Sequence, residues 1–412
     1  MSYRLKILLI FSIGFELRIR NKRVDWITFA DCTFDQSMAG LYIHIPFCKQ
    51  ACHYCNFHFS TSLHYKKDLV EAINLEIELQ RDYLNGEKLE TIYFGGGTPS
   101  LLSPSELDSI FKAINTNFKV APNAEITLEA NPDDLKSDQL KALQDSPINR
   151  LSIGIQSFRN ADLEYMNRSH NAQEAWKSLE RARSAGFEKL SLDLIYGVPG
   201  LDNKAWEENI RIALDLGPAH ISAYCLTVEP KTPLEKRIQK GLSKPVNELE
   251  AAEHFEILMD KLESAGFLHY EISNFALPGH LAIHNTNYWK GVHYLGVGPS
   301  AHSYDTISRQ WNVANNQKYI QSISDGNIPS EKEILSADSI YHEYVMTRLR
   351  TSWGIDIEEI KDMGTAYEEN FMRQIESFLQ SGQIEQKGGH FTLTRNGKLY
   401  ADQIAMGLFM DA

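Results

Sequence analysis

Three cysteines stand close together in Cys48-Lys49-Gln50-Ala51-Cys52-His53-Tyr54-Cys55, a C-x3-C-x2-C spacing. Thiolates are soft ligands, suited to iron–sulfur clusters or to zinc. A fully ligated cubane takes four cysteines. No fourth is near: Phe57 stands two residues after Cys55, and Cys225 is remote in sequence. A [4Fe–4S] cluster on Cys48, Cys52 and Cys55 alone would keep one iron open, as catalytic metal sites do. A Cys3His zinc site is the alternative, with His44, His53 or His58 as fourth ligand. Gln50–His58 is too polar for these cysteines to be plain core.

Other polar residues interrupt apolar runs. Gly95-Gly96-Gly97-Thr98-Pro99 follows Ile92-Tyr93-Phe94. Glycines there let a backbone approach a ligand, and free N–H groups can hold a carboxylate, although a tight loop needs glycine too. Glu129, before Ala130-Asn131-Pro132, and Gln156, in Ile153-Gly154-Ile155-Gln156-Ser157, suit ligand hydroxyl or amino groups, or a cap or ion pair. Arg168 suits a bidentate carboxylate clamp, or an ordinary surface arginine. Asp193, inside Leu192-Asp193-Leu194-Ile195, is costly unless something polar needs it. His284-Asn285-Thr286-Asn287-Tyr288-Trp289 offers an imidazole able to ligate haem iron and aromatics able to pack on a porphyrin. The same residues also suit a core position, with His284 capping a turn. In Leu295-Gly296-Val297-Gly298-Pro299-Ser300-Ala301-His302-Ser303 a second imidazole, His302, follows glycines suited to close backbone approach.

The elements that must position these residues repeat a strand–helix beat. Strands are expected at Leu41–Ile45, Glu90–Phe94, Glu125–Glu129, Arg150–Ile155, Lys189–Ile195 and His220–Leu226. Helices are expected at Tyr65–Leu84, after the Ser103 cap with Pro104 and Glu106, at Ser137–Leu143, Asn203–Leu216 and Glu248–Ala265. Strand–helix units in series imply parallel strands with crossover helices. Runs this rich in Ile and Leu are buried on both faces. Glu129, Gln156, Asp193 and the glycines cluster at strand C-terminal ends, the pattern of a barrel active face. Six units rather than eight predict a partial, open (β/α)6 barrel of TIM type within α/β. Residues 38–325 form this barrel with its extension, Gly326–Ser330 reads as a linker, and 331–412 as a small winged-helix-like α+β domain. There the helices Ala337–Leu349, Ile357–Asp362 and Tyr367–Ser381 precede a hairpin of Ile384–Gln386 and His390–Leu393.

The bulk numbers narrow the function. Net charge is −13 over 412 residues, which disfavours nucleic-acid binding and leaves membrane contact at most peripheral. The C-terminal domain has no basic run, so it reads as a structural or protein-contact module. Apolar residues are 43% and charged residues 23%, as in globular proteins. Five cysteines, three of them clustered, do not form a disulfide framework, and a reducing, cytoplasmic setting fits better. Lys6–Phe15 has the look of a short signal-peptide core but is too short to span a bilayer and lacks a small-residue cleavage site. Translation from Met38 is the preferred reading, with 1–37 an upstream misread and a targeting segment as alternative. Cys32 lies there and receives no role.

His44-Ile45-Pro46-Phe47-Cys48…Cys52-His53-Tyr54-Cys55 resembles the cluster loop of the radical S-adenosylmethionine (SAM) enzymes, in the branch that holds oxygen-independent coproporphyrinogen III oxidase and its haem-chaperone relatives. The resemblance runs over nearly all of 38–412. It implies that the open iron chelates the methionine amino and carboxylate groups of SAM, and that an electron from the cluster can split the sulfonium to a 5′-deoxyadenosyl radical. It assigns SAM contacts to Gly96, Gly97, Thr98, Glu129, Gln156, Arg168, Asp193 and Tyr42, with Tyr54 against adenine. Phe57 replaces the oxidases' fourth cysteine, and 284–289 resembles the chaperones' H-N-x-x-Y-W motif, so His284, Asn285, Tyr288 and Trp289 are the haem candidates. The resemblance thus implies a cytoplasmic haem chaperone served by an electron donor and passing haem to a recipient haemoprotein. The oxidase is the alternative: radical decarboxylation of porphyrinogen propionates. A homodimer is compatible with either, and no residue is singled out as catalytic.

Overall fold

A computed structural model describes residues 38–410. The signal-like segment, Cys32 and the expectation that 1–37 is spurious lie outside the described residues.

Twelve strands form one sheet: β1 (Met38–Ile45), β2 (Lys88–Gly96), β3 (Lys119–Ala130), β4 (Arg150–Gln156), β5 (Lys189–Tyr196), β6 (His220–Cys225), β7 (Leu268–Glu271), β8 (Asn274–Ala276), β9 (Tyr294–Val297), β10 (His302–Tyr304), β11 (Ser308–Asn312) and β12 (Ser330–Ile334). Their spatial order is β12-β11-β10-β9-β1-β2-β3-β4-β5-β6-β8-β7. β1 to β6 pair in parallel and in chain order, as the strand–helix beat requires. β12 and β7 lie at opposite ends of that order, so the barrel is open.

Period-two alternation decides the faces. In β1, Leu41, Ile43 and Ile45 are fully buried in the main apolar core, whereas Tyr42 and His44 turn to the other side, where their side chains hydrogen-bond. In β2, Phe94 packs on Phe111 of the helix Pro104–Asn117, while Tyr93 turns toward Glu129 of β3. That helix starts as its sequence requires: Ser103 Oγ accepts from the Glu106 N–H, and the Glu106 carboxylate accepts from the Ser103 N–H. The first helix, Lys66–Leu79, is shorter than the apolar spacing suggests, because turns occupy residues 81–86 and Leu84 is buried from outside the helix.

Two additions to the sheet were not anticipated. β7 and β8 extend it antiparallel beyond β6, and β9 to β12 extend it beyond β1. These strands are three to five residues long, too short for a clear period. The expected linker at 326–330 runs directly into β12, which pairs with β11, so the sheet continues to Ile334.

Beyond it, the helices Ala337–Leu349, Ile357–Met363 and Thr365–Gln380 pack with a three-stranded sheet of Ile355–Asp356, Ile384–Lys387 and His390–Leu393. This unit has its own core, including Tyr341, Val345, Phe371, Phe391 and Ile404. Arg350 joins it to the barrel, bonding Asp402 at 2.6 Å and lying 3.7 Å from Glu271 of β7.

Candidate cofactor site at the strand C-terminal ends

The cysteine loop leaves β1 at Ile45 and is closed on itself: Ser60 N–H donates to Pro46 O (2.7 Å) and Cys48 N–H to Ser60 O (3.0 Å). Its polar residues anchor it to the loops after β3 and β4. Lys49 pairs with Asp133 (2.8 Å) and Asp134, Gln50 Nε2 donates to Asn167 Oδ1 (2.9 Å), and His53 Nδ1 bonds Tyr165 O (3.0 Å). Cys48, Cys52 and Cys55 are free thiols and half-exposed. Each imidazole considered for zinc has a partner elsewhere. His44 bonds Tyr42 Oη (3.0 Å) and His58 O (2.9 Å) through its two nitrogens, His53 is held as above, and His58 Nε2 bonds Asn316 Oδ1 (2.7 Å). Burial pushes the Cys48 thiol up and the Cys55 thiol up to about 11, so a bound cationic centre is what would hold these two as thiolates.

The glycine turn sits against this loop. Gly96 has φ +103°, and a Cβ there would strike the His44 ring. A Cβ on Gly97 would come within 2.7 Å of Ile45 O and Phe47 N, and Gly97 N–H donates to Ile45 O at 2.9 Å. The turn therefore needs glycine for packing as well as for access. Thr98 shares a hydrogen bond with the Cys48 thiol and accepts from Asn131 Nδ2 (3.2 Å).

Two half-buried carboxylates, Glu129 and Asp193, lie at this end of the sheet. Glu129 accepts from Tyr93 Oη (2.8 Å) and Gly96 N–H (3.2 Å). Burial, with some repulsion from Asp193, pushes its carboxyl up to about 7. Burial pushes Asp193 up to about 6 against hydrogen bonds from Ser222 and Ser152. Neither forms a salt bridge with a described residue, so the pair is suited to a cationic ligand. Arg168 is half-buried against the cysteine loop. Its Nη1 lies 3.3 Å from both Cys52 Sγ and Tyr54 Oη, and its Nη2 donates to Asn131 Oδ1 (2.7 Å) and Gly154 O (3.0 Å). Burial opposes its charge, but Tyr54 and Cys52 outweigh that and hold it cationic. Arg168 Nε is buried and has no hydrogen-bond partner among the described residues. Gln156, at φ +66°, stands beside Gly154 where the β4–β5 register breaks.

Ammonium, sulfonium and carboxylate groups of SAM match this set of two unpaired carboxylates, a half-buried guanidinium with an open donor, and a glycine turn. Tyr42, Tyr54, Gly96, Gly97, Thr98, Glu129, Gln156, Arg168 and Asp193 all fall within it. Asn131 and Tyr93 belong to it as well and were missed. Asn131 bridges Thr98 and Arg168, and its only signal was an Asn before Pro at a strand end.

The 284–289 motif lies on the short helix Ile283–Trp289, behind Tyr93. His284 is 2% exposed, its Nδ1 bonds Thr91 Oγ1 (2.7 Å) and its Nε2 bonds Tyr288 Oη (2.9 Å). Burial pushes this imidazole down to about 3. Asn285, Tyr288 and Trp289 are half-buried, and Arg350 lies over the Trp289 ring. His302, by contrast, is exposed and stacks on Trp311 at 6.0 Å.

An open parallel barrel with a three-thiol loop after its first strand and a glycine turn after its second defines a radical SAM protein. The Radical SAM superfamily model matches residues 42–213, and the HemN C-terminal domain model matches 335–400. The chain is 36% identical over 379 residues to heme chaperone HemW of Bacillus subtilis, covering 90% of this chain and 99% of that protein. It is 31% identical to heme chaperone HemW of Escherichia coli, covering 89% and 96%. It belongs to the HemW family. Coproporphyrinogen III oxidase (HemN) from Escherichia coli has the same fold, with a TM-score of 0.80 at 21% identity over 92% of this chain and 91% of that one. No helix among the described residues is long and apolar enough to cross a membrane.

Proposed function

We propose that this chain binds haem and passes it to a recipient haemoprotein in the cytoplasm, with a [4Fe–4S] cluster on Cys48, Cys52 and Cys55 and SAM as companions of that role. The end-to-end likeness to proteins named heme chaperone HemW carries this reading. Phe57 agrees with it: the side chain is 68% exposed beside the thiol loop, at the position where the oxidases carry a fourth cysteine.

In this reading the chain's own groups divide the work. The glycine turn and Glu129 take the SAM amino end, Asp193 and Gln156 the ribose side, Arg168 the carboxylate, and Tyr42 and Tyr54 the flanks. The cluster, when bound, supplies an electron beside the cofactor and needs an external donor. For haem, the motif 284–289 is one candidate. His284 would have to give up Thr91 or Tyr288 to reach iron, whereas His302 is exposed. The oxidase reading draws on the HemN likeness, which at 21% identity speaks for fold alone.

The test is anaerobic. Protein with a reconstituted cluster is given SAM, a reductant and coproporphyrinogen III beside a working oxidase, then titrated with haem and offered an apo-haemoprotein. Haem binding and transfer without porphyrinogen turnover is expected. Turnover at a rate comparable to the oxidase would overturn the chaperone reading.

A further inference from the structure

The imidazole of His284 points into the barrel, toward the residues beneath the cofactor site. The helix that carries it is pinned there: the N–H groups of Ile283 and His284 donate to the two carboxylate oxygens of Glu125 on β3, at 3.1 and 2.9 Å. Glu125 is itself 3.8 Å from buried Arg150 of β4. The ring then meets β2 at two places. Its Nδ1 bonds Thr91 Oγ1 at 2.7 Å, and its plane stacks on Tyr93 with centroids 4.9 Å apart and 21° between planes. Tyr288, one turn along the same helix, holds Nε2 at 2.9 Å. The fit is close: a Cβ on Gly40 would lie 3.4 Å from the ring. Tyr93 also stacks on Tyr42, and its hydroxyl donates to Glu129 Oε1 at 2.8 Å.

We propose that His284 is a positioning residue for SAM: clamped by Thr91 and Tyr288, it fixes the Tyr93 ring, and Tyr93 in turn aims the Glu129 carboxylate at the cofactor. This rests on the reading of Glu129 as a SAM contact. The physical reason is economy of donors. Among the described residues Glu129 has only Tyr93 Oη and the Gly96 N–H as donors, and a phenol directs its proton only if its ring is held. The His284 ring holds one side of Tyr93, and no other ring contact to Tyr93 is as short. His284 therefore acts on the cofactor through packing against Tyr93.

The test compares wild type, His284→Phe, Tyr93→Phe and the double variant, all with reconstituted clusters. His284→Phe keeps a flat ring while losing both hydrogen bonds. SAM affinity is read by calorimetry and by the change SAM causes in the electron paramagnetic resonance spectrum of the reduced cluster. Each single variant is expected to weaken SAM binding about ten- to a hundredfold, on the order of one hydrogen bond to a charged group. The double variant should be no weaker than Tyr93→Phe alone, because both act on the same carboxylate. Haem uptake, followed by the Soret band, should survive in His284→Phe. Wild-type SAM affinity in His284→Phe, additive losses in the double variant, or loss of haem with SAM binding intact would each overturn the proposal. If the cluster-loaded wild type itself failed to bind SAM, the reading of Glu129 would fall first, and this inference with it.

Discussion

Arg168 Nη1 lies 3.3 Å from Cys52 Sγ, so the guanidinium proposed to meet the cofactor also touches a proposed cluster ligand. The same side chain holds Tyr54, Asn131 and Gly154, on the cysteine loop, the β3 end and β4 respectively. The cluster loop and the cofactor pocket are therefore one assembly, and changes in either should be felt in both.

Arg168→Lys removes the planar fork while keeping the charge. A lysine cannot reach four partners in these directions. The variant should take up less iron and sulfide on reconstitution and be less stable by about 2–4 kcal/mol, as expected when a partly buried charge network loses a member. Iron and sulfide analysis beside thermal unfolding of the apo form checks this. Full cluster loading at wild-type stability would show that the fork is dispensable.

Affinity for SAM should rise with pH. Glu129 is pushed up to about 7 and Asp193 to about 6 in the unliganded protein, so below those values a cationic ligand must displace protons. Calorimetry from pH 6 to 8.5 should show tightening that levels off above about pH 7.5. Glu129→Gln should flatten the upper part of the curve and weaken binding about tenfold or more at the plateau. The stability of the apo protein runs the opposite way. A raised carboxyl favours the folded state fully below its unfolded value near 4.5, and that contribution is lost as pH climbs toward 7.

Gly96→Ala should be destabilising even without cofactor. The position has φ +103°, and the new methyl would meet the His44 ring, which is held at both nitrogens. A cost of about 1–3 kcal/mol follows from the backbone conformation alone. The apo melting temperature is the measurement. An unchanged value would mean that the turn itself changes conformation as β1 moves aside.

Phe57→Ser should leave stability within about 0.5 kcal/mol, since the side chain is 68% exposed. Any loss of haem uptake or transfer in this variant would then come from direct contact with haem or recipient. A drop in melting temperature would instead place Phe57 in the packing of the cluster loop.

Much of this was legible in the chain because chemistry and period left local marks. The C-x3-C-x2-C spacing, the six strand–helix units and an Asp inside the apolar Leu192–Ile195 run each stand within a few residues, where burial is costly for charge and alternation reveals a strand. Glu125 and Arg150 carry no such mark, because each opens its expected strand within two residues of an asparagine, Asn123 and Asn149; only the structure shows them buried, with Glu125 holding the 283–289 helix. Tyr93 carried no mark, because a Tyr in a strand is ordinary.

What the residues alone determined is the order of the parallel strands and which side chains are candidates for the site. Only the tertiary structure decided which groups meet. β7 to β12 are too short to show a period, and they add to both edges of the sheet. Asn131, Thr98 and Arg168 join across three different loops. The same is true of His284, whose neighbours Thr91 and Tyr93 are nearly two hundred residues earlier in the chain. A sequence motif states that an imidazole is present. The packing of a short helix against β2 is what determines whether its nitrogens face iron or a threonine.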